Sequence, residues 1–228
     1  MNSHLSEILD DVKQYLAFLE GIGCTSIGAG EKGLKTADSW KADTLESLSL
    51  SSLQKSLENC RQCDLANERR AVVFGQGNPG AKVMFIGSFP EAQDQNTGIP
   101  YSGEAGALLT RIIEAIGQTR ESVYICHAVK CRPSSDRLPT RAEANACGKW
   151  LEKQVRAVHP QVICALGSIA AQVLLKTYEP MSRLRGIFHD YGGISVMPTY
   201  EPSYLLMNPS AKRAVWEDMK EVMACIDH

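Results

Sequence analysis

The sequence predicts a three-layer α/β/α sandwich built on a central, mostly parallel sheet. Short apolar runs rich in Val, Ile and Phe alternate with longer amphipathic stretches, the pattern of buried strands and covering helices. Clusters of Gly, Pro and Asn mark the joins. At 228 residues and 44% hydrophobic composition the chain can bury a full core in one domain.

The elements follow in order. Leu5, Ile8, Leu9, Val12, Tyr15, Leu16 and Leu19 fall at helical spacing, closed by Gly21 and Gly23, and predict an amphipathic helix. Gly, Ser, Thr and Lys without a period then predict a flexible linker to about residue 50. Residues 1–50 read as an accessory segment and 51–228 as the main domain. A short helix over 51–57 leads into Cys60-Arg61-Gln62-Cys63. Strands are predicted over 71–75 and 82–87, separated by the turn Gly77-Asn78-Pro79-Gly80. A loop over 88–106 precedes a helix over 107–116, capped by Gly117.

Val123, Tyr124, Ile125 and Val129 predict a strand that Arg132-Pro133 ends. The carboxyl ends of strands in open α/β sheets are where ligands sit, so His127 is a pocket candidate and Cys131 lies just beyond. A helix over 141–158, a strand over 162–166, a helix over 168–175, a strand near 194–197 and a helix over 210–225 complete the alternation.

The net charge of -2 confines any basic surface to local groups, Lys130 to Arg141 and Arg183, Arg185 and His189. No apolar run approaches the roughly 20 residues of a membrane-spanning helix, and the first residues lack the basic-then-apolar order of a signal peptide. A cytoplasmic monomer without membrane contact is expected. In that reducing setting eight cysteines point to metal more than to disulfides. Cys60 and Cys63 form a Cys-x-x-Cys pair, and fifteen residues separate Cys131 from Cys147. Four thiolates from two distant segments suit an iron-sulfur cluster. Zinc is the rival, although its usual second close pair is missing, and a redox dithiol is a weaker one. Cys126, Cys164 and Cys225 fall on apolar faces and read as ordinary core residues.

Cys60 and Cys63, Gly87 to Pro90, the run from Thr97 through Pro100-Tyr101-Ser102-Gly103 to Leu109, Val123 to Pro133, Ala165-Leu166-Gly167, and Pro198-Thr199-Tyr200 with Pro202 to Leu206 occur together in this order. Over residues 58–224 the chain resembles the family 4, iron-sulfur type uracil-DNA glycosylases. The resemblance implies that family's fold, a four-stranded sheet between helices, and a 4Fe-4S cluster held by Cys60, Cys63, Cys131 and Cys147. It also implies hydrolysis of the N-glycosidic bond in DNA containing a deaminated or damaged base, which is flipped into a tight pocket. Tyr101 stands where the family places a stacking Phe. Gly87, Ser88, Phe89 and Pro90 would line the base, and Pro202, Ser203, Tyr204 and Leu205 would form a wedge in the minor groove. Lys130, Arg132 and Arg185 would meet phosphates.

The departures fall in the pocket. The family's Gly-Glu-Ala-Pro-Gly is Gly87-Ser88-Phe89-Pro90-Glu91, its base-reading Asn is His127, and the His that stabilises the departing uracil is Glu201. An ionised carboxylate there opposes the developing anion, so weak or altered uracil release is expected. Glu201 could instead be protonated and donate, or accept from an amino group of a different base. Glu91 or Asp94 could position water. His127 and Glu201 are the candidate base readers. The competing expectation is a catalytically inactive DNA-binding iron-sulfur paralogue, and behind it a zinc-stabilised interaction module.

Overall fold

The computed structural model describes residues 49–134 and 137–226; the amphipathic helix expected over residues 1–23 and the linker as far as residue 48 lie outside them. Helix α1, Leu50–Glu58, is capped by Ser49, whose hydroxyl accepts from Ser52 N. It buries Leu53 and Leu57 against Phe74. A single turn, α2, Leu65–Glu68, follows the Cys60 and Cys63 segment.

Strands β1 (Gln76–Gly77), β2 (Val83–Gly87), β3 (Tyr124–His127), β4 (Val162–Leu166), β5 (His189–Tyr191) and β6 (Ile194–Thr199) form one sheet in the order β1-β3-β2-β4-β6-β5. The inner four are parallel, and β1 and β5 are antiparallel edges. β2, β3 and β4 are buried along their whole length on both faces, and β6 from Val196 onward, as near-continuous apolar sequences require. Val83, Phe85, Ile125, Cys164, Leu166 and Met197 pack under helices α4 (Glu104–Ala115) and α9 (Lys212–Ile226). The alternate residues Met84, Ile86, Cys126, Ile163, Ala165 and Val196 pack under α5 (Arg141–Val158) and α6 (Ser168–Leu175). The three-layer sandwich is therefore present, and Cys126 and Cys164 are core side chains.

The pairings Gly87 with His127 and Leu166 with Thr199 bring the carboxyl ends of the parallel strands to one edge. The segments that follow Gly87, His127, Leu166 and Thr199 leave the sheet there.

Three segments differ from the sequence expectation. Residues 71–75 are not a strand: Val73 N donates to Lys130 O and only Gln76–Gly77 pairs, with β3 rather than β2. Gly75 and Gly77 have φ of 147° and 129°, a backbone that interrupts the ladder. The stretch read as a loop over 88–106 contains helix α3, Ala92–Thr97, closed at its start by a reciprocal cap between Glu91 and Asp94. Residues 202–206, read as a wedge loop, are helix α8, Pro202–Met207, with Pro202 in the first turn where its missing N–H costs nothing. A turn α7, Met181–Leu184, and a 3-10 turn, Pro209–Ala211, complete the described elements.

Candidate active site

His127 ends β3, and its ring is fully buried. Its Nε2 lies 3.2 Å from Asp94 Oδ2. Asp94 Oδ1 accepts from Ser102 N and Ser102 Oγ at 2.8 and 2.9 Å, and Oδ2 also accepts from Glu91 N at 3.1 Å. Burial opposes ionisation of Asp94, but the His127 and Ser102 donors outweigh it and hold the carboxyl at about 2. A carboxylate only accepts, so Nε2 carries the imidazole proton. Burial lowers the His127 pKa further than the Asp94 charge raises it, which keeps the ring neutral. Nδ1 is then an acceptor, and it is buried without a partner.

Glu201 ends the segment after β6. Its backbone caps α8, while its side chain turns to β2. Oε1 accepts from Ser88 N at 3.3 Å and from Tyr101 Oη at 2.5 Å; Oε2 accepts from Ser88 Oγ. Burial of the carboxyl outweighs these donors and pushes it up to about 7. Glu201 thus brings a carboxyl onto the Ser88 hydroxyl and amide.

Tyr101 packs its ring 4.7 Å from that of His127, tilted by 33°. It has φ of 54°, costly for a bulky residue. Glycines make the room. A Cβ on Gly87 would stand 2.0 Å from Tyr101 Oη, one on Gly106 would stand 1.7 Å from Tyr101 O, and one on Gly167 would stand 2.2 Å from Glu201 Oε2. Gly106, which reads as a loop residue in sequence, is therefore helical.

The other sequence candidates divide. Ser88 and Pro90 are buried and Phe89 is half-buried, packed beside Cys131 and Cys147. Glu91 is half-buried at the rim, and burial raises its pKa. Asp94 is no longer a candidate to position water, because its oxygens already accept four bonds. Lys130 is fully buried, with Nζ donating to His127 O, and presents no charge to a phosphate. Arg185 is turned inward to Asp218 Oδ1 at 2.7 Å and Ala214 O, with its guanidinium over Tyr200. Asp218 also accepts from Thr199 Oγ1 at 2.6 Å, so this pair braces the segment that carries Glu201. Arg132 Nη1 donates to Pro90 O. Pro202 and Leu205 are buried, whereas Tyr204, Leu206 and Met207 are exposed and Ser203 is partly so. The positioning roles of Ser102 and Asp218 were missed: Ser102 stands within the Thr97–Leu109 run without a role of its own, and Asp218 stands in no motif.

Cys131 and Cys147 share a buried cluster with Leu65 and Val129, against which Cys63 packs, and Cys60 lies at the adjoining α1 cluster. The thiols interact electrostatically: Cys60 raises Cys63, Cys63 and Cys60 raise Cys131, and Cys131 and Cys63 raise Cys147. Burial is the largest cause at Cys63, Cys131 and Cys147 and pushes Cys147 up to about 12. Thiolates there require a compensating positive centre. N–H groups already face two of the sulfurs, Arg69 Nη1 at 3.7 Å from Cys131 Sγ and Lys130 N at 3.3 Å from Cys147 Sγ. Among the described residues no three His, Cys, Asp or Glu side chains converge on a single ion.

The Uracil DNA glycosylase superfamily profile matches residues 74–220. The chain belongs to this superfamily. It is 39% identical over 178 residues to the Type-4 uracil-DNA glycosylase of Thermotoga maritima, covering 76% of this chain and 93% of that protein. It is 34% identical over 182 residues to the Type-4 uracil-DNA glycosylase of Archaeoglobus fulgidus, covering 76% and 92%. The Type-5 uracil-DNA glycosylase of Pyrobaculum aerophilum is 31% identical over 164 residues, covering 64% and 71%. Among the described residues no helix is long and apolar enough to cross a membrane.

Proposed function

We propose that this protein is a DNA N-glycosylase acting in base excision repair on a deaminated or damaged base, with Glu201 meeting the departing base. The observation that carries this is the half-buried Glu201 carboxyl at the carboxyl ends of the parallel strands, held by Ser88 and Tyr101 and pushed up to about 7. Below that pH it holds a proton and donates where an ionised carboxylate would repel. Water adds to C1′ of the sugar, the C1′–N bond breaks with its electron pair on the base, Glu201 supplies a proton to that base, and Glu91 takes the proton from water. His127 Nδ1, fixed as an acceptor by Asp94, reads a ring or exocyclic N–H of the base. Tyr101 stacks, and the exposed Tyr204 and Leu206 face the duplex.

Cys60, Cys63, Cys131 and Cys147 are the residues that would hold a 4Fe-4S cluster. Such a cluster supplies a covalent staple between the α1–α2 connection and the 131–147 segment. The neighbouring thiols and the N–H groups directed at their sulfurs support this ligand set.

Base release from single- and double-stranded DNA containing uracil, hypoxanthine or xanthine tests the reading, using native protein and Glu201→His and His127→Asn, singly and together. Release by the native protein, altered in preference by His127→Asn, is expected. Release only after restoration contradicts the proposal. One observation favours a second reading, an inactive DNA-binding paralogue: the Tyr101 hydroxyl sits on Glu201 and against Gly87, where a base would approach. Salt-dependent DNA affinity with no release of any of these bases identifies that case.

A further inference from the structure

The hydrogen bonds at the end of β2 decide which oxygen of Glu201 can carry a proton. Oε1 faces Ser88 N at 3.3 Å and Tyr101 Oη at 2.5 Å. An N–H can only donate, so Oε1 is the oxygen that stays unprotonated. Oε2 faces the Ser88 hydroxyl, which can donate or accept, so Oε2 can take up a proton without losing its partner. Ser88 Oγ in turn has a second acceptor, Leu166 O at 3.4 Å. While Glu201 is protonated, Oε2 donates to Oγ and the hydroxyl hydrogen points to Leu166 O; when Glu201 is ionised, the same hydrogen turns to Oε2. The contact with Leu166 O is longer than an ordinary O–H···O bond, and negative charge developing on a base in the pocket would displace it. The neighbours hold this pair in place. Ser88 is buried and its carbonyl accepts from Val129 N at 3.0 Å. Gly167, with φ of 87°, keeps the space clear, since a Cβ there would stand 2.2 Å from Glu201 Oε2 and 2.8 Å from Ser88 Oγ.

We propose that Ser88 is a catalytic residue, the relay through which the Glu201 proton reaches the departing base. This rests on reading Glu201 as the acid of base release. Once the C1′–N bond has left its electron pair on the base, the base takes the hydrogen of Ser88 Oγ in place of Leu166 O, and Oγ takes the proton from Glu201 Oε2. The hydroxyl is restored, and one proton has passed from Glu201 to the base. Glu201 is left ionised, with Ser88 N, Ser88 Oγ and Tyr101 Oη all donating to it, so the charge it gains is met at once. The other titratable groups around the relay are Tyr101 on Oε1, Glu91, which acts on Glu201 electrostatically, and the His127–Asp94 pair behind the Tyr101 ring.

Single-turnover base release by the full-length protein tests this, on DNA carrying whichever of uracil, hypoxanthine or xanthine it releases, across neutral pH and in mixtures of H2O and D2O. Ser88→Ala is expected to lower the rate about 100-fold and to abolish its fall with rising pH, and Ser88→Thr, which keeps the hydroxyl, to recover both. Two protons move together in the relay, so the native rate should fall along a bowed curve as the D2O fraction rises, and Ser88→Ala should straighten it. A folded Ser88→Ala that keeps the native rate, or is slower but still falls with pH as the native protein does, overturns the relay and leaves Glu201 as a direct acid. Should Ser88→Ala fail to fold, the solvent curve of the native protein decides, bowed for the relay and straight against it. Native protein that releases none of these bases defeats the acid reading itself, and the relay with it, which separates the two failures.

Discussion

The two ends of the segment from His127 to Cys147 obey different rules. At the cysteine end, Cys131 and Cys147 are buried and each is met by an N–H, with the half-buried Cys63 packed beside them. At the pocket end, the backbone is kept by residues that cannot be larger, Gly87, Gly106 and Gly167, while the polar side chains differ from those that the resemblance implies. Glu201 brings a carboxyl onto Ser88, and His127 brings an imidazole beside Tyr101 and Asp94. Close approach of backbone to side chain fixes a scaffold more strictly than any one functional group fixes a pocket, because a group can arrive from another strand at the same edge.

The largest test of that contrast is removal of a sulfur. Cys131→Ser is expected to lose bound iron and several kcal/mol of stability, roughly 10 °C or more in Tm for a domain of this size, measured by metal analysis and calorimetry. A pocket substitution should leave iron unchanged. Glu201→Gln is expected to lower base release on the order of 100-fold or more yet raise Tm above neutral pH. The sign follows from the carboxyl lying above its ordinary value, at about 7: its native environment is fully favourable while it is protonated, and stability is lost as pH rises through that value. Asp94 behaves in the opposite sense. Held at about 2, it stabilises the fold above the ordinary carboxylate range, and that contribution disappears as pH falls through 2. Asp94→Asn turns a donor toward Glu91 N or His127 Nε2, and a loss of about 2–3 kcal/mol is expected by denaturant unfolding. Tyr101→Phe should have the smallest effect on stability, about 1 kcal/mol. By removing a donor that favours ionised Glu201, it should also move the alkaline limb of the release profile to higher pH.

The layered fold was legible because short continuous apolar runs mark β2 and β4 and longer stretches mark α5 and α6, each of which closes near its expected bounds. Short elements were not. Glycine at 75 and 77 breaks a strand whose apolar pattern looks intact, and glycine at 106 sits inside a helix because contact with Tyr101 O leaves no room for a side chain. Site residues near one another in sequence, such as Ser88 with Glu91 or His127 with Cys131, could be grouped by motif. The burial of Lys130 and the inward turn of Arg185 could not, since a charge at a strand end reads as surface until a carbonyl or Asp218 is found beside it. The expected wedge shows the same limit: Pro202 and Leu205 face the core, and only its alternate positions face outward.

The central claim is that Glu201 acts as a proton-bearing acid. Its most direct test is the single-turnover rate of base release by the native protein across neutral pH, on the base that the substrate panel identifies. A rate that falls as pH rises through about 7, with that limb gone in Glu201→Gln, is the expected result. A rate that rises through the same pH in the native protein would show that ionised Glu201 is the working form and would contradict the assignment.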